Sequence, residues 1–377
     1  MMRDIIFPFQ VLAKPSGPAC NLDCAYCFYL EKASLFPKAT IFKMVPDVLE
    51  SFIKQYIESQ PTNSVHFTWQ GGEPTLLGVP YFEEIIRLQE KHAGDKQITN
   101  AIQTNGVLLD EQWGRFLRKN SFLVGISIDG PQHLHDQYRI GHDGKGTFNQ
   151  VMAGLNILKK HRIEFNTLTV VNRSNQDQAG VIYNFLKSIG SKYWQFIPAV
   201  ERTRPDGSLA APHETDNLTL TNWSVEPEAY GQFLTQIFKR WIREDVGDVF
   251  VQQFEAALAN ELGRPTGVCV WNALVGSLWL LSIMVISILA ITMFSLNTNW
   301  GIYLSFLFWT WFIRKISKTL EQISRMACLK YARIVRSYMY VMGNVPSIDS
   351  RWDPRGKKDT TISVLAINSF SHRYDQN

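Results

Sequence analysis

Three cysteines fall within eight residues, in Cys20-Asn-Leu-Asp-Cys24-Ala-Tyr-Cys27. Three thiolates on one loop can wrap three corners of a [4Fe–4S] cube. Such clusters normally take four cysteine ligands, so a three-cysteine loop leaves one iron open. A zinc site with a distant fourth ligand and chance clustering are the alternatives. The remaining two cysteines, Cys269 and Cys328, stand alone. An odd count clustered this tightly is not a secreted disulfide framework, and it implies thiols kept reduced, as in the cytoplasm.

Four further segments carry residues suited to holding a ligand. In Trp69-Gln-Gly-Gly-Glu-Pro-Thr75 the paired Gly71 and Gly72 let the backbone approach a ligand closely and permit positive φ. Alone, this motif is also an ordinary turn at a strand end. Gln103-Thr-Asn-Gly106 ends another strand-like stretch, and Gly125-Ile-Ser-Ile-Asp-Gly-Pro131 runs into His135-Asp-Gln-Tyr-Arg139. Ser127 can donate a hydrogen bond. Arg139 can pair with a carboxylate in a bidentate, directional way, although a surface arginine is the plainer expectation. The last segment is Gln195-Phe-Ile-Pro-Ala-Val200. His133, His135 and His142 lack metal-ligand spacing and are expected in loop or surface roles. Trp69 is expected in the core. No catalytic acid or base stands out.

The elements that must position these residues alternate. Strands are expected at Gln10–Lys14, Ser64–Trp69, 101–104, 123–128, Phe165–Val171 and 193–197. Helices are expected at 81–92, with Phe82, Ile85, Ile86 and Leu88 inward, and at 110–119, Phe148–Lys160 and 178–189. This alternation implies an α/β fold with βα units around a parallel sheet, better as a partial or full barrel than as a flat sheet. Chemistry then belongs at the C-terminal strand ends, where the motifs lie. A loop at 206–224 and helices at 225–244 and 249–262 follow.

With 377 residues, 45% of them hydrophobic, the chain can bury one large core or two domains. A net charge of +4, with basic residues scattered, argues against nucleic-acid binding. The N-terminal residues contain no apolar run of signal-peptide type.

Taken in order, CNLDCAYCFY, WQGGEP, QTNG, VGISIDGP, HDQYR and WQFIP resemble the radical S-adenosylmethionine (SAM) enzymes, and among them the anaerobic sulfatase-maturating enzymes. The resemblance runs to Gly267-Val-Cys269-Val-Trp-Asn272, about 270 residues. It implies a partial (β/α)6 TIM-like barrel. It implies a [4Fe–4S] cluster on Cys20, Cys24 and Cys27, with SAM on the open iron. It places Tyr26 beside the adenine, Gly71 and Gly72 at the SAM amino group, Ser127 and Arg139 toward its polar end, and the Val200 backbone at the adenine. An adenosyl radical then abstracts hydrogen from a cysteine or serine of a sulfatase, giving formylglycine, with electrons from a donor such as flavodoxin or ferredoxin. Another radical SAM peptide-modifying activity, or a non-catalytic remnant that binds the cluster or SAM, are the rival expectations.

The family pattern stops after residue 272. Members carry two auxiliary clusters on a cysteine-rich C-terminal domain of the SPASM type. Here Val275 stands where a cysteine is expected, and Cys328 is the only later one. The acidic residue that accepts the substrate proton is also missing. Between Arg264 and Arg314 there is no charged residue. Residues 273–296 are nearly all apolar, long enough to span a bilayer at about 20 residues per span. A second, shorter apolar run covers 300–313, and Arg314, Lys315 and Lys318 form a basic flank after it. The chain therefore divides into a radical SAM core at 1–245, a connecting helix and the start of the family's C-terminal domain at 246–272, and a divergent tail at 273–377. An out-of-frame product, a fusion to membrane helices and a divergent domain remain open for that tail.

Overall fold

The computed structural model describes residues 8–27, 29, 42–210, 217–261 and 278–282. In chain order the elements are β1 (Gln10–Lys14), α1 (Pro46–Ser59), β2 (Ser64–Trp69), a 3-10 turn (Pro74–Leu77), α2 (Gly78–His92), β3 (Gln97–Thr104), α3 (Glu111–Lys119) and β4 (Leu123–Ser127). Then come α4 (Gln132–His135), α5 (Phe148–Lys160), β5 (Phe165–Val171), α6 (Ala179–Ser188), β6 (Tyr193–Pro198), β7 (Arg202–Thr203), β8 (Thr219–Leu220), α7 (Pro227–Glu244), β9 (Phe250–Val251), α8 (Gln252–Glu261) and β10 (Leu278–Ser282). The fold class is α/β with parallel strands, as the alternation of patterns implied. Contacts divide the chain into two compact units, the first holding 8–128, 135–166 and β10, the second 129–134 and 167–261, with the division falling inside β5.

In the first unit the parallel order is β10, β1, β2, β3, β4. Strand β2 shows how sequence alternation becomes a layer. Val65, Phe67 and Trp69 are buried on one face, and His66 and Thr68 are half-buried on the other. The Trp69 ring stacks on Phe67 at 5.6 Å and meets Phe52 of α1 and Phe82 of α2 edge-on, at 6.1 and 6.2 Å. Phe82 reaches on to Trp113 of α3 at 5.3 Å. Truncating a fully buried ring such as Phe82 costs about 3–5 kcal/mol. This aromatic layer fixes the strands from behind, so their C-terminal ends can carry irregular loops. On α2, Phe82, Ile85 and Leu88 are buried as expected, and Ile86 is half-buried.

In the second unit β5, β6 and β9 run parallel. Tyr183 of α6 meets Trp194 of β6 edge-on at 4.9 Å, and Phe233 of α7 meets Phe196 at 5.2 Å. The buried Asp129 carboxylate accepts from the Val170 backbone N–H at 2.9 Å.

Several expectations need correction. Helix α1 was not expected, although Leu49, Ile53, Tyr56 and Ile57 are spaced for one buried face and Pro46 opens it. Asp110 lies outside α3 as its N-cap, accepting from Trp113 N at 2.8 Å. The helix expected over 249–262 begins only at Gln252. Phe250 and Val251 pair with β6 instead, because Phe250 N–H donates to the Lys192 carbonyl at 2.7 Å. The expected loop 206–224 contains β8, which pairs antiparallel with β7. Of the apolar run 273–296 only Leu278–Ser282 is described, and it is a strand beside β1. Cys269, Val275, the run 300–313 and Cys328 lie outside the described residues. Among the described residues no helix is long and apolar enough to cross a membrane.

Candidate functional site

The cysteine loop leaves the C-terminal end of β1 through two tight turns, closed by Gly17 N–H to the Lys14 carbonyl and Ala19 N–H to the Ser16 carbonyl, both 3.1 Å. Two neighbours then clamp it. On one side Asp23 N–H donates to the Ile140 carbonyl at 2.8 Å and Ala25 N–H to the Tyr138 carbonyl at 3.0 Å. On the other, Gly72 N–H donates to the Gly17 carbonyl at 2.8 Å and Glu73 N–H to the Ala19 carbonyl at 2.7 Å. The close approach explains the glycine pair. A Cβ on Gly72 would lie 2.0 Å from the Ala19 carbonyl oxygen, and Gly71 has φ +150° with its Cα facing Ser16. Gly72 is thus demanded first by the cysteine loop itself, a constraint the motif alone did not reveal.

Cys24 is buried, Cys20 and Cys27 are half-buried, and none of the three forms a disulfide among the described residues. Burial pushes the Cys20 thiol up to about 11, with the Leu22 N–H at 3.4 Å pulling the other way. Binding of a metal centre there must therefore displace a proton. Among the described residues no three His, Cys, Asp or Glu side chains surround a point fit for a single metal ion. Three thiols strung along one loop suit a cube, whose ligands sit at separate iron corners. The buried Ser16 hydroxyl, beside Gly71, has no hydrogen-bond partner among the described residues, so this corner also offers an unsatisfied polar atom for a bound group.

Tyr26 and Arg139 come together although 113 positions separate them. The guanidinium lies 5.5 Å from the centre of the Tyr26 ring, a cation–π distance. Arg139 is buried, not on the surface. Its backbone is fixed by its own N–H to the His135 carbonyl and by its carbonyl accepting from Thr147 Oγ1 at 2.9 Å. His135 is a fully buried residue, 3.2 Å from Thr147, which corrects the expected loop or surface role. His142 is on a loop and reaches the Cys20 carbonyl at 3.2 Å. Ser127 closes β4, where its Oγ accepts from Gln103 Nε2 at 3.1 Å. Val200 follows β6 in the second unit and is half-buried. Trp69 is fully buried core, as expected.

Two site residues were not singled out from sequence. Glu73 is completely buried and takes hydrogen bonds from Thr75 N and Oγ1, Thr104 Oγ1 and Asn105 N. Burial pushes its carboxyl above the usual range despite those bonds. Asn105 spans the gap to the cysteine loop. An acid and an amide in loop motifs usually face solvent, so nothing in the sequence marked these as buried.

A three-thiol loop after the first strand, a glycine pair after the second and polar groups at the ends of the next two define the class. Residues 15–186 match the model of the Radical SAM superfamily. Over 265 residues the chain is 46% identical to a serine-type anaerobic sulfatase-maturating enzyme of Bacteroides thetaiotaomicron, covering 70% of this chain and 64% of the relative. It is 33% identical over 266 residues to a cysteine-type enzyme of Clostridium novyi, covering 70% and 68%. The solved structure of native anSMEcpe with bound AdoMet superposes with a TM-score of 0.62 at 34% identity, covering 70% of this chain and 69% of that one. The chain belongs to the family of anaerobic sulfatase-maturating enzymes. It spans 64% of the length of the Bacteroides relative.

Proposed function

We propose that this chain is a radical SAM oxidoreductase whose core, residues 1–245, binds one [4Fe–4S] cluster and SAM and acts on a cysteine or serine of a sulfatase. The observation that carries it is the clamped loop, which carries three cysteines outside any disulfide and whose backbone is held by that of Gly72 and Glu73. Bound together, the cluster and SAM supply a carbon-centred radical that takes a hydrogen atom from the substrate. Cys20, Cys24 and Cys27 hold the cluster. The Gly71–Gly72 backbone receives the SAM amino group, and Arg139, with Ser127 near it in the motif order, takes the carboxylate end. The Tyr26 ring takes the adenine, and the family resemblance implies a further adenine contact from the Val200 backbone. The solved relatives support this use of the site, since one holds AdoMet and another AdoMet with the Cp18Cys peptide. The higher identity to the serine-type relative favours a serine in the substrate. The reduced thiols and the need for a donor such as flavodoxin or ferredoxin favour the cytoplasm.

Residues 246–272 begin the family's C-terminal region, and 273–377 contribute a single cysteine, Cys328. We therefore expect one cluster per chain and SAM cleavage that outruns substrate oxidation. The test is anaerobic reconstitution, iron analysis and incubation with reductant, SAM and peptides containing Ser-x-Pro-x-Arg or Cys-x-Pro-x-Arg. 5′-Deoxyadenosine should form and disappear in Cys24→Ala. Arg139→Ala should weaken SAM binding by about 1.5–3 kcal/mol. Formylglycine, read by mass spectrometry, should lag far behind deoxyadenosine. No iron uptake and no deoxyadenosine would overturn the proposal.

A further inference from the structure

Asn105, the residue after β3, sits 85 positions from Cys20 yet points its amide at that cysteine. Its Nδ2 donates to Cys20 Sγ at 3.7 Å and to Asn21 Oδ1 at 2.8 Å. Its Oδ1 accepts from Val107 N–H at 3.0 Å. That last bond settles the amide's orientation, because a backbone N–H needs an oxygen opposite it, which leaves the NH2 group facing the sulfur. The backbone of Asn105 is held as firmly. Its N–H donates to Glu73 Oε2 at 2.6 Å, while Glu73 Oε1 takes Thr104 Oγ1 at 2.8 Å, Thr75 Oγ1 at 2.6 Å and Thr75 N at 3.0 Å. Glu73 N–H in turn anchors to the Ala19 carbonyl, next to Cys20. One buried residue thus joins the three loops: its carboxylate ties the glycine loop to the QTNG turn and its backbone N–H holds the cysteine loop. Asn105 itself is buried, so water does not compete strongly for its amide.

We propose that Asn105 donates an N–H···S hydrogen bond to the Cys20 ligand of the cluster and that Glu73 is the positioning residue that aims it, so that together they raise the cluster's reduction potential. The inference rests on the cluster proposed above. Reduction adds negative charge to the iron–thiolate unit, and a fixed donor stabilises the more negative state. Hydrogen bonds to the sulfurs are among the factors that set iron–sulfur potentials. The Leu22 N–H at 3.4 Å from the same sulfur adds to this donor set.

Asn105→Ser keeps an oxygen for the Val107 N–H but is too short to reach Cys20. In reconstituted, fully loaded protein, a potentiometric titration followed by EPR should give a lower midpoint for N105S than for wild type. Glu73→Gln, which disturbs the aim without removing the donor, should fall between them. Equal midpoints in loaded wild type and N105S, with only cluster occupancy reduced, would mean the pair merely stiffens the loops and would overturn the proposal. A measurement on the wild type guards against variants that fail to fold. With 15N in the asparagine side-chain amides, pulsed EPR of the reduced cluster should show a coupled nitrogen. Its absence overturns the proposal even if no variant can be loaded. A wild-type chain that takes up no cluster overturns the function proposed above along with this inference, whereas a loaded chain without the coupling overturns this inference alone.

Discussion

The two units each bury an acid, and the two acids respond in opposite directions. In the first, Glu73 is fully enclosed and all its partners are neutral: two backbone N–H groups and two threonine hydroxyls. Burial dominates and raises its carboxyl. In the second, Asp245 at the end of α7 is also buried, and burial again works to raise it. There the Lys187 ammonium at 2.7 Å and the Tyr183 hydroxyl bond to it, with Arg240 over the Tyr183 ring at 4.4 Å. The cations outweigh burial and hold Asp245 below its ordinary value. Neutral donors can orient a buried carboxylate but do not repay its lost hydration, whereas a nearby cation does. The first arrangement is a desolvated knot that positions loops at the candidate site. The second is an ordinary tie between α6 and α7.

The sharpest way to break this comparison is Glu73→Ala. It strands two buried backbone N–H groups, each worth about 1–3 kcal/mol when unpaired. A loss of about 2–5 kcal/mol in a denaturant titration is expected, with loss of iron loading as the loops separate. Asp245→Ala should cost less, about 1–2 kcal/mol, because the Lys187 side chain is 38% exposed and can turn to water. Iron loading should survive it. If both changes disturbed the cluster equally, the assignment of separate roles would fail.

The smallest effect is in pH dependence, and its sign separates the two acids. Asp245 has a lowered folded value, so its contribution is present above its unfolded pKa near 3.8 and is lost as pH falls through the folded value. Glu73 has a raised folded value, so its native state binds the proton more tightly. Its contribution declines as pH rises from 4.5 through the folded value. Denaturation midpoints of Glu73→Gln should therefore gain on wild type as pH increases, and those of Asp245→Asn should gain as pH decreases. The same slope in both variants would contradict the cation argument.

Much of the scaffold was legible because its signals are local. Strands β1, β2 and β5 and helix α5 have the limits that alternation and helical periodicity indicated, since apolar spacing within one element needs no knowledge of the others. Helix α1 was equally periodic and was passed over. The start of α8 was misplaced because Phe250 and Val251 are taken by β6, a partner 57 residues away from Gln253 in the same neighbourhood. Such competition between local and distant pairing cannot be read from one segment.

The three cysteines, the paired glycines and their places after successive strands were determined by sequence, because ligand spacing on one loop is covalent. What only the tertiary structure decided is who meets whom across long gaps. Arg139 left the surface to lie over Tyr26, Gly72 turned out to be required by the Ala19 carbonyl, and His135 went into the core. Glu73 and Asn105 became the link between three loops. Each depends on burial and on partners 12 to 113 positions away, and side-chain identity fixes what a residue can bond to but not whether water is there to bond instead.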